Sequence, residues 1–160
     1  MPMLLKYALA DGAIVGLWES GVPSLLESQQ TADPDHGYVQ AAGETFPYSL
    51  MTDYYVVNGT VTPKQVLTIT ATPTPFPADG VTQCQVSVSP FLACTLLVNG
   101  TPQALTDVDP TLEITSDVPQ TFQVALQPLA AAKAEPLTIT AEAVPVAART
   151  QEAPDANVSL

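Results

Sequence analysis

Along much of the chain, apolar and polar residues alternate one by one over short runs. In Leu67-Thr68-Ile69-Thr70-Ala71-Thr72 the apolar side chains fall on one side and the threonines on the other, which is the period of a strand with one wet face. The same alternation recurs at Cys84, Val86 and Val88, at Cys94, Leu96 and Val98, and at Leu112 and Ile114. It returns at Phe122, Val124 and Leu126, and at Leu137, Ile139, Ala141 and Ala143. Six such strands within about eighty residues, separated by turn signals, predict a β-sandwich. Both cysteines occupy inward positions in this pattern.

The N-terminal part is patterned differently. Leu4 to Ala10 and Ala13 to Trp18 flank Asp11-Gly12, and Asp53 to Val57 and Thr60 to Thr62 flank Asn58-Gly59. Both dipeptides suit the positive φ angles of a hairpin turn, so two hairpins are expected. Pro23, followed by the capping-box spacing of Ser24-Leu25-Leu26-Glu27, predicts about two turns of helix to Gln30. Asp33-Pro34-Asp35-His36-Gly37 reads as a loop. Further on, Pro73, Pro75 and Pro77 lead into Ala78-Asp79-Gly80, a spacing that fits an edge segment with polyproline character. Leu129 to Ala134 reads as a connecting loop, or as a helical turn on alanine propensity. After Val144 periodicity stops. The chain therefore divides into an N-terminal hairpin module over 1–63, a β-sandwich over 64–145 and an extended tail over 146–160. The fold class is mostly β, with a small α+β module in front.

Composition narrows the function classes. Sixteen prolines and eight glycines in 160 residues disfavour long helices, while 46% hydrophobic and 12% charged residues argue against disorder. Four Lys+Arg against sixteen Asp+Glu give a formal net charge of -12, leaving little to neutralise phosphates. Nucleic acid and anionic membrane are not expected partners. No run approaches the roughly 20 apolar residues of a membrane span. Lys6 interrupts the first apolar stretch, so a secretory signal is not expected either. Cys84 and Cys94 form no CxxC pair and have no neighbouring histidine, so zinc and dithiol redox chemistry are not indicated. A buried reduced pair is expected; a disulfide would need Cα atoms within about 7 Å.

Candidate chemistry is sparse. Asp33, Asp35 and His36 offer oxygen and imidazole ligands, but one loop supplies too few converging groups for a stable metal site. Asp107, Asp109, Glu113 and Asp117 raise the same question for calcium without matching a helical calcium loop. His36 is the chain's one imidazole, and Ser24, Ser28 and Ser49 are the nearest hydroxyls, none framed by a nucleophile elbow. No catalytic, cofactor or metal site is expected, and the protein reads as non-enzymatic. Asn58-Gly59-Thr60, Asn99-Gly100-Thr101 and Asn157-Val158-Ser159 match the glycosylation pattern, the first two also being turn dipeptides. Trp18, Tyr48, Tyr54 and Tyr55 concentrate aromatic residues in the N-terminal module and are candidate interface residues. Tyr54 and Tyr55, adjacent in a strand, must face opposite sides.

The Thr-rich stretch Leu67 to Pro73, the turn Pro77-Ala78-Asp79-Gly80 and the strand Gln83 to Val88 resemble the opening of a bacterial immunoglobulin-like domain. Pro136-Leu137-Thr138-Ile139-Thr140-Ala141-Glu142-Ala143 is similar to the closing strand of such domains. The resemblance covers roughly residues 64 to 145 and lacks the Cys, Trp, Cys core of antibody domains. It implies an immunoglobulin-like sandwich. The whole layout is similar to small bacteriophage structural proteins, which implies a capsid decoration or cement protein. Its expected partners are the major capsid protein and other copies of itself, and its expected place is the outer capsid surface of a virion assembled in the host cytoplasm. The alternatives are a low-copy tail, collar or fibre component, and a carbohydrate-binding adhesive module recognising a surface glycan.

Overall fold

A computed structural model describes residues 3–19, 33–41 and 49–145. The helix expected over Pro23 to Gln30 and the 146–160 tail lie outside the described residues. The chain is mostly β, with several sheets and a single helical turn among the described residues. It divides into two compact units: Met1–Leu67 with Leu126–Ala134, and Thr68–Ala125 with the chain from Glu135 onward.

In the first unit, β1 (Met3–Ala8) is the central strand of a three-stranded antiparallel sheet, flanked by β2 (Ile14–Glu19) and β3 (His36–Ala41). Leu4 and Leu5 are both fully buried, and adjacent strand residues face opposite ways, so both faces of β1 are covered. Leu5 joins Ile14, Leu50 and Val56 in one core, against which Tyr7, Leu17, Val39, Tyr54 and Val61 pack. Leu50 reaches that core from the single turn α1 (Leu50–Asp53), started when the Thr52 and Asp53 amides bond to the Ser49 carbonyl. The second hairpin follows as β4 (Tyr54–Val57) and β5 (Thr60–Pro63), with Asn58 and Gly59 both at positive φ.

Several expectations change here. The first hairpin forms, but not on a two-residue turn. Only Gly12 has positive φ, and the register slips between Lys6 and Tyr7, leaving Val15 in a bulge. Strand β3 takes in His36 and Gly37, which read as loop, because pairing with the central strand outweighs local turn composition. Gly37 lies opposite Tyr7, whose ring occupies the space a Cβ would need. Asp53 belongs to α1 and not to the hairpin strand. Residues Ala132–Ala134 form a short strand, β13, pairing in parallel with Gln65 to Leu67; neither the loop nor the helical reading holds there. Tertiary pairing overrides alanine's helix propensity.

The strand β6 (Gln65–Thr72) continues into the second unit, where Thr68 to Thr72 pair antiparallel with β8 (Cys84–Ser89). β11 (Leu112–Ile114) pairs with the other side of β8. A second sheet has the order β10 (Thr101–Leu105), β9 (Cys94–Val98), β12 (Gln120–Leu126), β14 (Leu137–Glu142) and β7 (Phe76–Pro77). Alternate positions of both sheets are buried, including Ile69, Val86, Val88, Leu96, Phe122, Val124 and Ile139. The expected alternation is therefore the real one. Alternation does not predict two strands of this unit: β7, only two residues long, and β10, where Pro102 masks the inward Gln103 and Leu105. The proline-rich segment does sit at a sheet edge, where Phe76 stacks on Phe122 with ring centroids 6.3 Å apart.

Turn chemistry closes this unit. Asp79 Oδ1 accepts the Val81 and Thr82 amides at 2.8 and 2.7 Å, and its Oδ2 accepts the Thr82 hydroxyl. These bonds, led by the Thr82 amide, lower the Asp79 carboxyl to about 2. The Gly80 amide bonds to the Ser116 carbonyl, while the buried Ser116 hydroxyl donates to Val118 O and accepts from Gln120 Nε2. Asn99, in the β9–β10 turn, pins that hairpin to β12 twice: its amide donates to Gln123 O, and its Oδ1 accepts the Gln123 amide. Cys84 is buried, Cys94 only half-buried at the first position of β9, and neither is in a disulfide. The inward placement is thus complete for Cys84 alone.

Two predictions follow from these packings. A Cβ at Gly12 would collide with the Val56 carbonyl, whereas Gly100 has open space around it; both have positive φ. Gly12→Ala should cost about 3 kcal/mol and Gly100→Ala about 1 kcal/mol in denaturant unfolding. Equal losses would mean that the close approach at Gly12 contributes nothing. Burial also pushes both thiols above their ordinary value. Alkylation at neutral pH should therefore reach Cys94 slowly and Cys84 only on unfolding; equal labelling of the native protein would contradict the burial.

Candidate functional site

Of the four aromatic candidates, Tyr48 lies outside the described residues. Trp18 pairs with Leu4 through its backbone in β2, and its side chain also lies outside them. Tyr54 and Tyr55 occupy successive positions of β4, opposite Pro63 and Thr62. Tyr54 packs against the Leu5, Ile14, Leu50 and Val56 core, while Tyr55 takes the other side of the strand, half-buried. The alternation across a strand thus places the two rings on opposite sides of β4, both half-buried.

The residues weighed as metal ligands form an ion cluster. Asp33 Oδ2 lies 2.9 Å from Lys6 Nζ and 2.8 Å from His36 Nδ1, and Asp33 Oδ1 accepts the Asp35 amide at 3.2 Å. The His36 contact is short but not aligned as a hydrogen bond, so it is electrostatic in character. Lys6 also lies 6.0 Å from the centre of the Tyr38 ring. The Lys6 ammonium, and after it His36, hold the Asp33 carboxyl well below the usual carboxylate range. The Asp33 carboxylate in turn raises Lys6. The cluster ties the turn before β3 to the central strand. Sequence spacing revealed only the Asp33 and His36 part of it, because Lys6 comes from a distant strand.

The second acidic set does not converge. Glu113 accepts Gln83 Nε2 at 2.9 Å from within β11, and Asp109 closes a turn with Thr106. Among the described residues no three His, Cys, Asp or Glu side chains are placed to share a metal ion. Ser49 serves as the start of α1, and Ser24 and Ser28 lie outside the described residues.

A cleft of about 410 Å³ opens in the first unit where three segments meet. They are the Asp11 to Ala13 turn, Thr52 with Lys64 flanking the second hairpin, and the Leu126 to Ala134 return segment. Lys133 is fixed there by Asp53, 2.6 Å from its ammonium, and the Lys64 amide bonds to the Asp53 carbonyl at 2.7 Å. Nothing in the sequence spacing joins Lys64 to Lys133; the pairing of β13 with the start of β6 does. The available signal was scarcity, since these are two of only four cationic side chains in the chain.

Compared with known proteins, the chain matches no family model, no curated protein and no solved structure.

The depressed Asp33 carboxyl has a defined pH signature. Its contribution to stability is present above the ordinary carboxylate pKa, near pH 4, and is lost as pH falls below it. Asp33→Asn should therefore lower the melting midpoint at pH 7, and the gap to the parent should close in acid. The effect should be modest and salt-sensitive, because the pair is partly exposed. A gap that persists unchanged in strong acid would assign Asp33 a packing role.

Proposed function

We propose that this chain is a non-enzymatic bacteriophage virion structural protein, a capsid decoration or cement protein that binds the major capsid lattice from outside. The observation that supports the sandwich part of this reading is the strand order of the second unit. Setting the two-residue β7 aside, its seven strands split so that the fifth, second and first form one sheet, and the fourth, third, sixth and seventh the other. Two sheets built from seven strands support reading residues 64 to 145 as an immunoglobulin-like sandwich; antibody constant-type domains differ in placing the fourth strand with the first, second and fifth. The fold does not carry function by itself, so the virion reading rests on the layout of the whole chain.

The surface is compatible with a shell partner. Leu9, Val15 and Met51 are each about half exposed in the first unit, where apolar contact with another protein would cover them. The formal net charge of -12 suits a position away from packaged nucleic acid. A protein that binds only the assembled lattice stabilises assembly by mass action, and many copies add through multivalency.

Quantitative mass spectrometry of purified particles tests the proposal by copy number relative to the major shell protein. Copies on the order of hundreds per particle are expected for a lattice-binding protein. A handful would reassign the chain to the tail, collar or fibre. Absence from particles would overturn the virion reading and leave glycan recognition as the hypothesis to test.

A further inference from the structure

The cleft of the first unit combines features that point to a ligand class. One wall is aliphatic: Leu126, Pro128 and Leu129 line it, and Leu129 is 36% exposed. Lys64 and Lys133 also line the cleft. Lys133 is committed to Asp53, whereas Lys64 makes no ion pair among the described residues. A chain with sixteen acidic and four basic residues has an ample supply of carboxylates for its lysines. Among the described residues Lys64 nevertheless lines the same cleft as these aliphatic side chains without one. An ammonium next to apolar surface is satisfied best by a ligand that brings both an anion and a hydrocarbon body.

We infer that the cleft binds a carboxylate carried on an aliphatic body, with the carboxylate at Lys64 and the body against Leu126, Pro128 and Leu129. This inference does not depend on the virion reading. The carboxylate could belong to a free aliphatic acid or to an acidic residue in a protein segment, and the chemistry of recognition is the same. Asp11 also lines the cleft, with its Oδ1 accepting the Ala13 amide at 3.0 Å. Its charge opposes a carboxylate and would favour a cation, which gives the test a sign.

The experiment is titration of the full-length protein with sodium hexanoate, followed by calorimetry and amide chemical shifts. Saturable binding is expected with a Kd on the order of 1 mM for so small a ligand. Hexanol, with the same body and no charge, should bind at least about tenfold more weakly, as should hexanoate to Lys64→Gln. Lys64 makes no ion pair among the described residues, so Lys64→Gln should keep the parent's melting curve; Lys64→Glu is the second variant if it does not. Asp11→Asn, which retains the Oδ1 acceptor, should tighten hexanoate binding. Equal binding of hexanol, undiminished binding to both Lys64 variants, weaker binding to Asp11→Asn, or no saturation would each overturn the inference. A blocked Ala-Glu-Ala-Leu peptide distinguishes the sources. Tighter binding than hexanoate supports the inference with a protein segment as ligand, and weaker binding supports it with a free acid.

Discussion

The second unit depends on one constraint, the period-two register that keeps Val86, Leu96, Val124 and Ile139 out of water. These four fully buried residues belong to four strands in two sheets. Because successive strand residues face opposite sides, a slip of one position would replace Val86 by Gln85 or Ser87, and Val124 by Gln123 or Ala125. Burying an unpaired amide costs on the order of 1–3 kcal/mol, so each slip is opposed at several strands together. The turns enforce the same register. Asn99 holds the β9–β10 hairpin to β12 with two hydrogen bonds, one from its amide and one through its Oδ1, and the Asp79 and Ser116 networks tie the ends of the other loops.

The outer strands of the five-stranded sheet carry the complementary feature. Pro77 lies in β7 and Pro102 in β10, and these are its two edges. Proline has no amide hydrogen to offer an incoming strand, so both edges are poor templates for further pairing.

The first unit is organised around β1, covered on both faces, and around charge brought together from separated segments. Lys6, Asp33 and His36 meet because β3 pairs with β1. Lys133 reaches Asp53 because β13 pairs with the first residues of β6. In a chain so short of cations, both clusters place lysines where a carboxylate or an aromatic ring is at hand, and Lys64 lines the cleft together with its aliphatic side chains.

The alternation of Leu67 to Thr72, Cys84 to Val88 and Phe122 to Leu126 determined the β class, because a buried-and-wet strand has only one period to write in sequence. Asn58-Gly59 and Asn99-Gly100 determined two turns, because few other residues accept positive φ without strain. Tertiary structure alone decided β3 and β13. In each, local composition spoke for a loop or a helical turn, and hydrogen bonds from a distant strand settled the matter. The same holds for the charged cluster and the cleft. Lys6 with Asp33 and Lys133 with Asp53 are far apart in the chain, and no periodicity encodes an encounter that only folding creates.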